Sequence, residues 1–307
     1  MKKILSIQVI QDWQASTLKI LQSACIDKIL AHFNMANVNP VLTPLSKNIK
    51  LEDIKAQAKD PKMPYAKAIR SLMYVAIQTR PDISFMVQHL SQIQCKSAVR
   101  HILQYLKGTH NEGIVYSWAG NTPWLKIYSD ADFTNWMDAK SILGYACIRD
   151  GACIMWSSKK QGTVALSTTE VEYIVLTHAA KQMTRICHLL DEIGLEQRDP
   201  TPILCNNLSA ITITHDMTYH MRTKHIKIYY HFIRERVASN EASLIYVTSK
   251  DNVADIMTRA IPPDNHTKLK ELLGITRNLT HWGGVLEAQR MHICRHHMIR
   301  KSCGVCT

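Results

Sequence analysis

The sequence predicts an α/β fold with a mixed five-stranded β-sheet and flanking helices. Three short apolar segments after residue 120 have the character of strands. A long segment with helical spacing follows them and begins with two capping-box patterns. Short strands and helices then alternate, so the predicted order is β-β-β-α-β-α-α-β-α. This order indicates a sheet that is covered by helices.

Local signals place the elements of this region. Asp150-Gly151 is a turn-forming pair that predicts a hairpin between the second and third strands. Ser167/Glu170 and Thr169/Glu172 are overlapping capping boxes, and Gly194 ends the helix that they begin. We expect strands at Leu125–Ser129, Ile142–Arg149, Ala152–Ser157, Ile203–Cys205 and Ser243–Val247. We expect helices at 167–193, from Ser209, at 225–238 and from Asn252 to Arg259.

The first 120 residues show mainly helical spacing. Asp82 is expected to cap a helix, and Lys107-Gly108 has the basic residue and the glycine that commonly end one. We expect a strand at 4–12 and helices at 22–33, from Tyr65, at 83–91 and at 97–106. The chain therefore divides into a mostly helical unit at 1–120, an α/β unit at 121–275 and a tail at 276–307 that we expect to be disordered.

The composition fits a globular protein with a polyanionic partner. Apolar residues make up 46% of the 307 residues, which is enough for packed cores in one large or two modest domains. Lys and Arg number 37 against 25 acidic residues, a net charge of +12. Such a surplus favours nucleic acid as a partner, although a merely basic protein has the same charge.

We expect an intracellular protein, cytoplasmic or nuclear. No apolar run approaches the roughly 20 residues that a membrane-spanning helix needs. The apolar start of the chain stops at Gln8, too soon for a signal peptide. The nine cysteines are odd in number and have no regular spacing, which favours a reducing compartment.

Four polar residues lie at the predicted ends of separate elements, namely Asp130, Glu172, Asn206 and Asp255. Strand ends and helix starts can converge in such a sheet, and oxygen ligands are those that magnesium prefers. Two ions about 4 Å apart can promote an in-line phosphoryl displacement. We therefore interpret the set as a metal-dependent nuclease site. Each acid taken alone also fits a surface or helix-capping role.

Longer motifs identify a family. The chain resembles the ribonuclease H domain of copia-type retrotransposon polyproteins in four segments: Tyr128–Asp132, Trp156–Gln161, Ala165–Tyr173 and Arg222–Glu235. Upstream, Ser71–Tyr74, Thr79–Ile83 and Tyr105–Thr109 resemble the connection between that domain and the reverse transcriptase. Phe33–Met35 and Leu42–Leu45 resemble the end of the polymerase.

The resemblance implies a ribonuclease H-like fold that cuts the RNA strand of an RNA–DNA hybrid with two Mg²⁺ ions, for which Mn²⁺ can substitute, and four carboxylates. Asp130, Glu172 and Asp255 match three of those carboxylates, and Asn206 stands where the family has Asp. A neutral amide removes one negative charge, so we expect weak or lost nuclease activity. No Asp-Asp pair of a polymerase palm occurs, so we expect no polymerase activity.

Basic residues near the proposed site are candidate contacts to the nucleic-acid backbone, since such contacts tolerate any sequence. They are Lys159, Lys160, Lys224, His225, Lys227 and Arg234. A solvated helix face is the alternative interpretation of the helical ones. The expected partners are an RNA–DNA hybrid or another nucleic acid, and the polymerase domain of a related element.

The tail contains His292, Cys294, His296, His297, Cys303 and Cys306. We do not expect it to bind zinc, since no predicted core surrounds these residues. Two alternatives to a nuclease remain at this point: a non-catalytic module that binds nucleic acid, and a degenerate remnant of the element.

Overall fold

A computed structural model describes residues 2–45, 63–93, 95–118, 124–133, 140–162, 164–165, 167–215 and 227–278. The side chains of His215 and of residues 227–231 are not described. Lys224, His225 and the histidines and cysteines of the tail lie outside the described residues, and of Lys227 only the backbone lies within them.

The described residues form two five-stranded sheets. The strands of the first are β1 Lys2–Ile4, β2 Ile7–Asp12, β3 Thr17–Leu21, β4 Gly113–Ser117 and β10 Ile275–Thr276, in that spatial order. Those of the second are β5 Lys126–Asp132, β6 Ile142–Arg149, β7 Ala152–Lys160, β8 Thr201–Cys205 and β9 Ala242–Tyr246, in the order β7-β6-β5-β8-β9.

Helices connect and cover the sheets. They are α1 Ser23–His32, α2 Tyr65–Gln78, α3 Ser84–Leu90, α4 Lys96–Thr109, α5 Thr168–Glu192, α6 Leu208–His215, α7 Lys227–Ala238 and α8 Pro263–Leu272. Two 3₁₀ turns, Pro81–Ile83 and Val253–Met257, precede α3 and α8. In the described part of the chain, no helix is long and apolar enough to span a membrane.

The second sheet confirms the predicted mixed five-stranded arrangement. β5, β6 and β7 pair antiparallel, whereas β8 pairs parallel with both β5 and β9. Asp150 and Gly151 have φ angles of 51° and 78°, as expected for the primed turns that suit hairpins. The Ser167 hydroxyl accepts the backbone N–H of Glu170 at 3.2 Å, so α5 begins at the predicted cap.

The first sheet contains strands that the sequence did not predict. The single strand expected over residues 4–12 is wrong, because Leu5 and Ser6 have φ angles of 48° and 65° and turn the chain between β1 and β2. The sequence analysis did not predict β3, because one of its buried positions is occupied by a charged residue, Lys19. Its ammonium donates to the carbonyls of Asn111 at 3.0 Å and Arg277 at 2.7 Å, which compensates its burial.

Two predicted helix ends are also wrong. Asp82 does not cap α3; it lies in the preceding 3₁₀ turn and forms a buried ion pair with Arg80 at 2.7 Å. Gly108 does not end α4, which continues to Thr109. Arg80 donates to the carbonyl oxygen of Thr109 at 3.0 Å and to its hydroxyl at 2.8 Å, so the ion pair also holds the last turn of α4.

The last described strand, β10, follows the second sheet in sequence but belongs to the first sheet. After α8, β10 pairs antiparallel with β4, with Ile275 opposite Ile114. The indole of Trp156 on β7 donates to the carbonyl of Ala76 on α2 at 3.0 Å. Residues at the end of the predicted α/β unit therefore complete a sheet that begins in the first 120 residues.

Candidate active site

Parallel pairing brings Asp130 and Asn206 together. Tyr128 of β5 lies opposite Leu204 of β8, and each proposed site residue follows two positions later along its strand. The Asn206 amide donates to Oδ1 of Asp130 at 3.1 Å and to the Ser249 hydroxyl at 3.2 Å. The ends of β5 and β8 therefore place these two side chains at one edge of the sheet.

Helix α5 brings Glu172 to the same edge. It packs against β5, and the backbone N–H of Ala131 donates to the Glu172 carboxylate. Glu172 is 7% exposed, and its Oε2 is buried without a hydrogen-bond partner among the described residues. A buried carboxylate oxygen without a partner is costly unless a cation or a proton accompanies it.

The 3₁₀ turn Val253–Met257 supplies Asp255. Asn252 caps this turn, because its side-chain oxygen accepts the Ala254 N–H at 3.2 Å. The amide group of Asn252 donates to the carbonyl of Ser129 at 2.9 Å, which ties the turn to β5 beside Asp130. The structure therefore brings together all four predicted site residues.

A glycine on β6 lets this turn lie close to the sheet. A Cβ on Gly144 would lie 2.8 Å from the Cβ of Met257 and 3.1 Å from the carbonyl oxygen of Ala254. Real Cβ atoms essentially never approach another heavy atom more closely than 3.0 Å. Any larger residue at this position would push the turn, and Asp255 with it, away from β5.

Two residues that the sequence analysis missed complete the site. The Thr258 hydroxyl donates to Oδ2 of Asp130, and the Arg259 guanidinium forms an ion pair with Oδ2 of Asp255. Arg259 is four residues after Asp255, a spacing that suggests an ion pair on a helical turn. That spacing was visible in the sequence.

The carboxylates repel one another in the absence of a cation. Burial, followed by the negative charges of Asp130 and Asp255, raises the pKa of the Glu172 carboxyl to about 9. Burial and Asp130 also raise the pKa of Asp255, although Arg259 opposes this shift. Raised carboxyl pKa values in a cluster mark a place where a positive charge would be stabilising.

The side-chain atoms at the site suit a divalent cation only in part. Carboxylate oxygens fit Mg²⁺ or Mn²⁺. In the part of the chain that the structure describes, Oε2 of Glu172 and Oδ1 of Asp255 are both buried without a hydrogen-bond partner. Asn206, however, presents its amide nitrogen to Asp130, and a nitrogen donor cannot ligate. Across the described ranges, no group of three or more His, Cys, Asp or Glu side chains is arranged to hold a metal ion.

The predicted nucleic-acid contacts fall into two groups. Lys159 and Lys160 end β7. Burial, followed by the positive charges of Lys181 and Lys159, lowers the pKa of His178 on α5. Arg234 donates to the carbonyl of Ile213 at 2.6 Å, so this half-buried side chain holds α7 to α6. Its nucleic-acid role remains a prediction.

Comparison with known sequences finds relatives that align with most of this chain. No family model matches the chain. The retrovirus-related Pol polyprotein from transposon TNT 1-94 of Nicotiana tabacum is 36% identical over 90% of this chain and 22% of its own length. The one from transposon RE1 of Arabidopsis thaliana is 36% identical over 85% of this chain and 18% of its own length. The chain thus spans about a fifth of these relatives.

Solved structures align with about half of the chain. The N-terminal ribonuclease H domain of a Mycobacterium tuberculosis protein covers 49% of this chain and 98% of its own, with a TM-score of 0.34 and 10% identity. LC11 ribonuclease H1, in complex with an RNA/DNA hybrid, covers 44% of this chain and 93% of its own, with a TM-score of 0.35 and 15% identity.

Proposed function

The chain belongs to the retrovirus-related Pol polyproteins of copia-type transposons and has a ribonuclease H-like fold, and from this premise we propose that its second sheet carries a ribonuclease H-type nuclease site. The substrate is an RNA–DNA hybrid, of which the RNA strand is hydrolysed. The observation that carries the proposal is the convergence of Asp130, Glu172, Asp255 and Asn206 at one sheet edge. The proposal covers this part of the polyprotein and no polymerase activity.

In this proposal three carboxylates hold the metal ions, and two neighbouring residues position the carboxylates. Two divalent ions, Mg²⁺ or Mn²⁺, would supply a nucleophilic water and stabilise charge on the leaving oxygen. Asp130, Glu172 and Asp255 would have to rearrange to hold them through hard oxygen ligands, because no group of three such side chains is arranged for a metal ion in the described residues. Thr258 orients Asp130 by donating to one of its oxygens, and Asn252 fixes the turn that carries Asp255. These two residues position the acids and do not react.

Asn206 weakens the site in two ways. It supplies no negative charge, so the attraction for divalent ions is smaller than with four carboxylates. Its amide also donates to Oδ1 of Asp130 and so occupies an oxygen that a metal would use. We therefore propose that the natural chain is an impaired nuclease.

A second function is non-catalytic binding of hybrid or duplex. The observation that favours it is the presence of Lys159 and Lys181 around His178, together with the net charge of +12. A backbone-binding surface of this kind needs no metal, and its affinity falls steeply with salt.

Cleavage of a hybrid labelled on either strand separates the two functions. We expect slow cleavage of the RNA strand in Mn²⁺ or Mg²⁺ by the natural chain, none of the DNA strand, and none by Asp130→Asn. Matched binding assays show whether both proteins still hold the hybrid. Binding without cleavage by the natural chain would support the non-catalytic function; cleavage unaffected by Asp130→Asn would contradict the proposed site.

A further inference from the structure

Arg259 is a positive side chain within the acidic site. Its guanidinium forms an ion pair with Oδ2 of Asp255 and also faces Asp130 and Asp132. The Arg259 side chain is 45% exposed, whereas that of Asp255 is 3% exposed. A half-exposed guanidinium therefore contacts a buried carboxylate.

Donors of this chain occupy three of the carboxylate oxygens that a metal would need. Asn206 and Thr258 donate to the two oxygens of Asp130, and Arg259 donates to Oδ2 of Asp255. Divalent cations such as Mg²⁺ and Mn²⁺ need several oxygen ligands at once. An oxygen held by a charged guanidinium is a poor ligand, and the guanidinium itself repels an incoming cation.

We propose that Arg259 is a resident counter-cation that sets the metal affinity of this site. It holds Oδ2 of Asp255 in place of a metal ion, and a divalent cation takes that oxygen only after the guanidinium turns away. This inference rests on the proposed function, because it concerns the same carboxylates. The exposed half of the side chain gives Arg259 room to turn into solvent.

Arg259 and Asn206 act in the same direction. One adds a positive charge to the site, and the other lacks the negative charge of an aspartate. Each contacts a different carboxylate, namely Asp255 and Asp130 respectively. Arg259→Gln and Asn206→Asp are therefore each expected to tighten metal binding when made alone.

Titration of Mn²⁺ into the full chain, followed by the electron paramagnetic resonance of free Mn²⁺, tests this without nucleic acid or catalysis. We expect Arg259→Gln to bind Mn²⁺ at least about tenfold more tightly than the natural chain, the size of effect typical of groups that contact metal ligands. Arg198→Gln is the matched control. It removes an arginine from an exposed ion pair with Glu196 at 3.7 Å, outside the site, and leaves the affinity unchanged.

Unchanged or weaker binding by Arg259→Gln, with tighter binding by Asn206→Asp, would overturn this inference and leave the metal site in place. Absence of Mn²⁺ binding in all of these proteins, while circular dichroism shows them folded, would overturn the inference together with the proposed metal site. If Arg259→Gln is unfolded without metal, its folding is titrated with Mn²⁺ instead. Refolding by Mn²⁺ supports the inference, and failure to refold overturns it.

Discussion

The Asn206 amide donates to Oδ1 of Asp130 across the parallel pair β5–β8, at a distance of 3.1 Å. A carboxylate at this position would repel Asp130 and require a cation between the two side chains. The amide instead forms a hydrogen bond that needs no cation. The same contact therefore stabilises the two side chains without a cation, and we propose that it lowers the affinity of the site for a divalent metal ion.

Breaking the buried ion pair between Arg80 and Asp82 is expected to destabilise the packing of the 3₁₀ turn Pro81–Ile83 against α4. Both side chains are 0% exposed, and the Tyr105 hydroxyl also donates to Asp82 at 2.6 Å. Arg80→Met leaves Asp82 as an unpaired buried charge, which typically costs 3–5 kcal/mol. Urea unfolding measures this loss.

An exposed pair provides the control for that experiment. Arg236 contacts Glu241 at 2.8 Å at the surface. Arg236→Met is expected to cost about 1 kcal/mol or less, as surface ion pairs usually do. An equal cost for the two substitutions would contradict the role given to the Arg80–Asp82 pair.

Gly144→Ala is expected to displace the turn that carries Asp255. The new Cβ would lie 2.7 Å from the methyl carbon of Thr258 and 2.8 Å from the Cβ of Met257. Overpacking of this kind costs about 1–3 kcal/mol, and the loss of Mn²⁺ affinity should exceed what the loss of stability explains. Thermal unfolding and Mn²⁺ titration measure the two effects.

Gly162→Ala is the matched control, because a Cβ there would have no heavy atom of the described residues within 4 Å, its two chain neighbours apart. It is expected to leave both stability and Mn²⁺ affinity unchanged. If Gly144→Ala also leaves both unchanged, the close packing of the turn on β6 is not required for the site.

His266 is expected to make the fold less stable in mild acid. Burial lowers its pKa from 6.5 to about 4, while the carboxylate of Asp82 opposes the shift and Lys270 and Arg80 favour it. The unfolded chain therefore takes up a proton below about pH 6.5 that the folded chain does not take up until about pH 4. Stability attributable to His266 is full above pH 6.5 and is lost as the pH falls toward 4.

Unfolding free energies between pH 4 and pH 7 test this, with a loss of up to about 3 kcal/mol from the one histidine. His266→Phe is expected to flatten the profile, because phenylalanine has no proton to gain and keeps a ring against Tyr105. The exposed His32→Phe is the control and should keep the slope of the natural chain. A slope as steep in His266→Phe as in the natural chain would contradict this assignment, whereas a smaller remaining slope is expected from His89, whose pKa burial also lowers to about 4.

The second sheet could be predicted because its signals are local. The turn at Asp150-Gly151 and the cap at Ser167 depend on neighbouring residues, and the structure confirms both. The convergence of Asp130 and Asn206 was predictable from the strand order, because parallel strands bring their carboxyl ends to one edge.

The first sheet was largely missed because long-range contacts define it. Lys19 looks like a surface residue in the sequence, yet its partners Asn111 and Arg277 are 92 and 258 positions away. Asp82 resembles a helix cap, but tertiary packing pairs it with Arg80 and Tyr105. The direction of the Asn206 amide also depends on neighbours that only the folded chain assembles.

The most direct test of the account compares the natural chain with Asn206→Asp on an RNA–DNA hybrid labelled in the RNA strand, in Mg²⁺ and in Mn²⁺. We expect Asn206→Asp to cleave the RNA at least about tenfold faster, because it restores a charged ligand and removes the amide donor from Asp130. Asn206→Asp with Asp130→Asn should be inactive. Equal or slower cleavage by Asn206→Asp, in protein that is folded and binds the hybrid, would contradict the claim that Asn206 impairs the nuclease site.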